Sequence, residues 1–267
     1  MPKSPRIASR RRPPLLAPLL VALLATACRG RAPAPPTAAP AAVTRPLRVA
    51  AAADVEPAFV AIAERFQAQH RRSVVFSFGG STTLAQQVRH GAPFDVYAAA
   101  SVPHVQGLVD SQHIVAGSLR RYARGRLVLW THGTPPPTDI AALRGPQYRR
   151  IALANPEHAP YGAAAVQALQ SAGLYTNLRA RLVYGENIRQ AHQFVATGNA
   201  DVALDAQSLA LASGQPFTPV PDALYAPLVQ ALGIVQGGDP AGAALFIDAV
   251  LSPEGQQILA RFGFAAP

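Results

Sequence analysis

The stretch Phe78-Gly79-Gly80-Ser81-Thr82-Thr83-Leu84-Ala85-Gln86-Gln87-Val88 decides the fold. Before it, residues 73–78 (SVVFSF) alternate in the manner of a β-strand. After it, Leu84 and Val88 with the intervening alanine follow helical spacing. Two glycines turn the backbone between the two patterns, and Ser81 or Thr82 is the expected N-cap of the helix. A strand–loop–helix junction of this kind is an anion cradle. The first N–H groups of a helix have no intrahelical acceptor, and the helix dipole is positive there. A small oxyanion can therefore be held without a cationic side chain. The competing reading is that Ser81 only caps its own helix.

The same alternation continues on both sides. Strand patterns fall at residues 47–53 (LRVAAAA), 95–99 (DVYAA), 126–131 (RLVLWT), 150–154 (RIALA), 180–184, 201–205 (DVALD) and 228–235 (LVQALGIV). Helical patterns start after Asp54-Val55-Glu56-Pro57 and cover residues 162–172, 189–197, 207–212, 241–251 and 253–262. Such alternation predicts parallel sheets with helices on both faces. In open α/β sheets ligands sit beyond the carboxyl ends of the strands. Four places qualify: Ala53-Asp54, Gly80-Ser81-Thr82, Pro160-Tyr161-Gly162 and Asn187-Ile188. Two belong to each half of the chain, which suits a ligand gripped between two lobes.

The first 27 residues are read as a secretory signal. Lys3, Arg6, Arg10, Arg11 and Arg12 precede an apolar run over residues 15–27. That run is shorter than the roughly 20 residues a spanning helix needs. It closes on Ala25-Thr26-Ala27 before Cys28, the one cysteine in the protein, so no internal disulfide can form. Leu24-Ala25-Thr26-Ala27-Cys28 resembles a lipoprotein lipobox, although Ala25-x-Ala27 also suits ordinary signal peptidase cleavage. Residues 28–46 are rich in Ala and Pro and read as an extended tether. The net charge of +10 falls to +5 once the five signal charges are removed, spread without a basic run. Nucleic-acid binding is thereby disfavoured. The seven histidines show no H-x-x-x-H or H-E-x-x-H spacing, so a resident transition metal is not expected. No G-x-S-x-G elbow is present either. Asp95, Asp201 and Asp205 stand where structural capping explains them as well as acid–base work does.

Residues 47–267 resemble the periplasmic molybdate-binding proteins of ABC importers. The resemblance rests on VAAAADVEPAFVAIAERF (49–66), SFGGSTTLAQQVRHGAPFDVYAAAS (77–101), ALANPEHAPYGAAAVQAL (152–169), GENIRQA (185–191) and SPEGQQILARFGF (252–264). It implies a two-lobed type II periplasmic binding protein, α/β in class, each lobe a mostly parallel sheet flanked by helices. Lobe 1 would hold residues 47–124 and 225–267, and lobe 2 residues 125–224. The crossings at residues 125–133 and near Tyr225 would form the hinge.

The resemblance also implies the oxyanion contacts. Ser81 matches a hydroxyl-and-amide donor, Tyr161 a position whose amide and in some members phenol reaches the anion, and Ile188 a main-chain donor. The ligand would be molybdate or tungstate, with no cofactor and no enzyme activity. The partner would be an inner-membrane ABC permease, and the protein a monomer in the periplasm, tethered through Cys28 if that residue is acylated. Asp54 departs from the pattern, since many relatives carry Ser, Thr or Asn there. A carboxylate about 4 Å from a dianion would repel it by several kcal/mol even at an effective dielectric near 20. Asp54 must therefore turn away as an N-cap, be protonated, or shift the specificity toward sulfate, phosphonate or another anion. A reading from another class makes Ser81 the nucleophile of a periplasmic hydrolase.

Overall fold

A computed structural model describes residues 45–267. The signal segment, Cys28 and the tether up to residue 44 lie outside the described residues. In chain order the strands and helices are β1 (Leu47–Ala52), α1 (Glu56–His70), β2 (Val74–Gly79), α2 (Ser81–Arg89), β3 (Val96–Ala99), α3 (Val102–Asp110), β4 (Arg120–Gly125), β5 (Leu127–Trp130) and β6 (Ile151–Ala154). They continue with α4 (Pro160–Ser171), α5 (Tyr175–Leu178), β7 (Leu182–Gly185), α6 (Ile188–Ala196), β8 (Val202–Ala206), α7 (Gln207–Ala212), β9 (Phe217–Pro219), β10 (Leu228–Ile234), α8 (Pro240–Leu251) and α9 (Pro253–Arg261). Among the described residues no helix is long and apolar enough to cross a membrane.

The strands form two five-stranded sheets, ordered β2-β1-β3-β10-β4 and β7-β6-β8-β5-β9. In the first, β2, β1 and β3 pair in parallel, β10 runs against β3, and β4 runs against β10. In the second, β7, β6 and β8 are parallel, β5 opposes β8, and β9 opposes β5. Four strands of each sheet therefore share one direction and a single strand is reversed. The reversed strands are the two that follow the crossings between lobes, β5 after Gly125 and β10 after Tyr225. Each lobe thus has the same topology, closed by a strand that arrives from the other.

Central strands buried on both faces are largely apolar, as in LRVAAA of β1, where Arg48 is the one charged residue, VYAA of β3 and IALA of β6. The edge strand β2 instead alternates, with Val75 52% exposed and Phe76 turned toward Phe59 and Phe246. Those rings, with Phe66 and Tyr122, make an aromatic core under α1, α8 and α9. Ser252 caps α9 by accepting the Gly255 N–H at 3.0 Å, as its Ser-Pro-Glu-Gly start predicts. At α2 the expectation is corrected. Gly80, not Ser81 or Thr82, is the N-cap residue, and no side chain caps the helix. Nor does Asp54 cap α1: it sits in a single 3-10 turn, Ala53–Val55, ahead of the helix, whose N-cap is Val55.

The two crossings are joined to each other. The Leu127 N–H donates to the Tyr225 hydroxyl at 3.0 Å, and that hydroxyl donates to Asp222 Oδ1 at 3.1 Å. Leu127 is fully buried, so replacing the phenol leaves its amide without a partner. Tyr225→Phe is expected to lower stability by about 1–3 kcal/mol in urea unfolding. A value indistinguishable from zero would show that the hinge finds another acceptor.

Candidate functional site

The four places marked in the sequence all lie at carboxyl ends of parallel strands. Ala53-Asp54 follows β1, Ser81 follows β2, Tyr161 follows β6 through the 155–159 loop, and Ile188 follows β7. Ser81, Tyr161 and Ile188 occupy the first turns of α2, α4 and α6, where backbone N–H groups have no intrahelical acceptor. All three are buried, at 1%, 2% and 3% exposure. The apolar cluster of the second lobe holds Ala159, Tyr161 and Ile188, and runs into the first lobe through Ala52, Ala53 and Ala100. Ser81 joins it, because its Oγ accepts the Ala100 N–H at 3.1 Å. Its carbonyl accepts the Tyr97 hydroxyl at 2.7 Å. The side chain of Ser81 thus bridges two strand-end loops rather than capping its own helix.

Direct bonds cross between the lobes around this cluster. The Thr82 N–H donates to the His158 carbonyl at 3.1 Å. The Ser208 hydroxyl donates to the Asp54 carbonyl at 2.7 Å. Nearer the surface, Thr83 Oγ1 donates to Glu186 at 3.2 Å, and Arg189 pairs with Glu56 at 3.0 Å. Gly80 packs directly against the second lobe. A Cβ at this position would lie 2.7 Å from the His158 carbonyl oxygen and 3.4 Å from that of Glu186. One further helper is His104, whose ring bonds Thr82 Oγ1 at 3.0 Å through Nε2 and the Ser101 hydroxyl through Nδ1. Burial and nearby Arg89 hold the His104 pKa below its usual value, which favours the neutral ring.

Asp54 is fully buried beneath the site. Its Oδ2 accepts from the Gln230 amide, whose oxygen in turn accepts the Tyr122 hydroxyl at 2.6 Å. The Tyr161 phenol of the second lobe lies beside this carboxyl, and burial with the neighbouring Asp54 charge pushes its own pKa well up, so it stays protonated. Burial raises the Asp54 pKa to about 6, against the opposing pull of Gln230 and Tyr161. The carboxyl is therefore turned into a polar knot formed by side chains of both lobes. The Tyr161 phenol lies on the side of that knot, and its backbone N–H stands at the head of α4.

Sequence reasoning named Asp205 but missed its partner. Asp205, at the end of β8, is fully buried and lies 2.6 Å from His192 Nδ1. Burial raises its pKa, and the bond to His192 opposes that rise. The His192 ring stacks on Trp130 with centroids 3.9 Å apart. No local spacing announces this group, since Trp130, His192 and Asp205 come from β5, α6 and β8.

Residues 47–265 match the family model for bacterial extracellular solute-binding proteins. The molybdate-binding protein ModA of Rhodobacter capsulatus is 35% identical over 229 residues, covering 85% of this chain and 90% of that one. Its namesake from Azotobacter vinelandii is 36% identical over 232 residues, covering 84% and 91%. Among solved structures, the periplasmic molybdate-binding protein of Azotobacter vinelandii superposes with a TM-score of 0.79 at 31% identity, over 83% of this chain and 99% of that one. The sulfate-binding protein SubI of Mycobacterium tuberculosis, at 17% identity, shares the fold with a TM-score of 0.71 over 84% of this chain and 87% of that one.

Proposed function

The chain belongs to the bacterial extracellular solute-binding protein family, and from that premise we propose that it captures molybdate, and with it tungstate, for an ABC importer. The observation that carries the reading is the meeting of three helix N-termini, α2 from one lobe and α4 and α6 from the other, around a buried cluster with neutral side chains. The anion would take the Ser81 hydroxyl and N–H and the N–H groups of Tyr161 and Ile188. Neutral donors fixed on rigid helices suit a dry dianion, because the helix dipoles supply the positive potential. Molybdate and tungstate are larger than sulfate, so a ring of fixed donors selects by size without a change of charge. Asp54 stands beneath the site as its floor rather than as a donor.

Capture ends in closure of the lobes about the crossings at Gly125 and Tyr225. In the closed form Arg189 pairs with Glu56 and Thr83 bonds Glu186 across the lobes, and a membrane permease would read the surface that such closure makes. Acylation at Cys28 would keep the protein, a monomer, at the membrane it serves.

A hydrolytic role for Ser81 finds no support in the geometry. Its Oγ accepts an amide proton from Ala100, and the nearby His104 is engaged by Thr82 and Ser101 instead. Ser81→Ala separates the two readings. Binding is expected to weaken about tenfold, in line with loss of one hydrogen bond to a charged group, with no turnover of phosphate or sulfate esters in either form. Ester hydrolysis by the unsubstituted protein that disappears in Ser81→Ala would overturn the proposal.

A further inference from the structure

The second lobe holds a group that the anion site does not use directly, although it lies one helical turn away from it. His192 is four residues beyond Ile188 on α6, and so stands on the same face of the helix. Its Nδ1 is 2.6 Å from Asp205 Oδ2, and the other carboxylate oxygen accepts the Ala206 N–H at 2.8 Å. One face of the ring lies on the Trp130 indole at an interplanar angle of 18°. Helix α6 thus carries a polar anchor to β8 and a stacked contact to β5, both made by one side chain. Asn187 holds the helix start from the other direction, with Oδ1 accepting the Gln190 N–H at 3.1 Å.

We propose that His192 is a positioning residue for the anion site: tied to Asp205 and stacked on Trp130, it fixes the height and tilt of α6 and so the place of the Ile188 N–H. The inference rests on the reading of α6 as an anion-holding helix. Apolar packing of Ile188, Ala191 and Val195 is non-directional and sets the depth of the helix on its sheet more than its tilt. A directional bond to a buried carboxylate fixes the tilt as well. The other ionisable groups on the elements packed against α6 are Tyr184 on β7, Asp201 ahead of β8 and Asp54 in the turn before α1, and none of them is bonded to the ring. Trp130 is the sole tryptophan of the protein, so its emission reports on the surroundings of this anchor.

The test compares His192→Ala with His192→Gln, whose amide can still donate to Asp205, in the whole secreted protein. Amide hydrogen exchange is followed without ligand over residues 188–196. We expect His192→Ala to speed exchange there at least tenfold, while the first turns of α2 and α4 keep their rates, and His192→Gln to recover most of the protection. In the same proteins, titration with molybdate is expected to weaken about tenfold in His192→Ala and less than threefold in His192→Gln. A change in Trp130 emission on adding molybdate should accompany binding and be lost in His192→Ala. Unchanged exchange over 188–196 in His192→Ala overturns the positioning role, as does equal loss in both variants. If the exchange result holds while the unsubstituted protein fails to bind molybdate, the anchor stands and the choice of anion falls.

Discussion

Gly80→Ala is expected to bind molybdate between ten and a hundred times more weakly than the unsubstituted protein, while its ligand-free thermal midpoint stays the same. Gly80 has φ −68° and ψ 138°, ordinary extended values for any residue, so the substitution strains nothing within the first lobe. The obstruction comes from the second lobe. The added methyl would press on the His158 carbonyl at 2.7 Å and approach that of Glu186 at 3.4 Å. A backbone carbonyl cannot swing aside as the far end of a long side chain would. The lobes must stop short of full closure, which also lengthens the bond from the Thr82 N–H to the His158 carbonyl. A tenfold to hundredfold loss corresponds to about 1.4–2.8 kcal/mol of binding free energy. Calorimetric titration beside a thermal melt separates the two effects. A variant that binds normally would mean that the ligand is held without this closure, and one that melts early would place the clash inside the fold.

Asp54→Asn is expected to raise stability at pH 7.5 and to remove a pH dependence that the unsubstituted protein shows between about pH 4 and 6. The carboxyl titrates near 3.8 when exposed and at about 6 in the folded chain, because burial disfavours its charge. Between those values the native state holds more protons than the unfolded one, so stability falls as pH rises. Above about pH 6 both states are ionised and the full penalty is present, on the order of 3 kcal/mol. Below about pH 4 both are protonated and the penalty is absent. An asparagine keeps an oxygen for Gln230 without a charge to bury. The same change takes a negative charge from beneath the anion site and should tighten molybdate binding at pH 7.5. Urea unfolding at pH 4.5, 6 and 7.5 checks the stability claim. A variant whose stability parallels the unsubstituted protein at all three values would show that Asp54 is not the group responsible.

The sequence reveals a good part of this structure, for reasons specific to each element. β1, β3 and β6 are readable because strands buried on both faces are largely apolar, and prolines stand close by, Pro46 before β1, Pro93 before β3 and Pro156 after β6. The four strand ends that meet in the cleft follow from that alternation, before any resemblance is invoked. Lobe assignment by sheet becomes visible only in the fold, where β5 and β10 each complete the sheet of the lobe they enter. Helix α3 and strand β4 escape sequence reading. Only Val105 and Leu108 of α3 are buried, and β4 opens on exposed Arg120 and Arg121 at a sheet edge. The site is legible in position but not in partnership. Ser81 is placed correctly at the start of α2, whereas its acceptor role toward Ala100 depends on a strand end 19 residues away. Asp54 stands out as a charge in an unsuitable place, but Gln230, the partner that accounts for it, is 176 residues distant. His192 and Asp205 look like two scattered polar residues until the sheet sets them 2.6 Å apart.

The most direct test of the account is a calorimetric titration at pH 7.5 of the secreted protein with molybdate, tungstate, sulfate and phosphate. Tight one-to-one binding of molybdate and tungstate, with no heat from sulfate or phosphate, is the predicted result. Preferential binding of sulfate or phosphate, or silence from all four anions, would contradict it, leaving the two-lobed fold in place and the ligand misassigned.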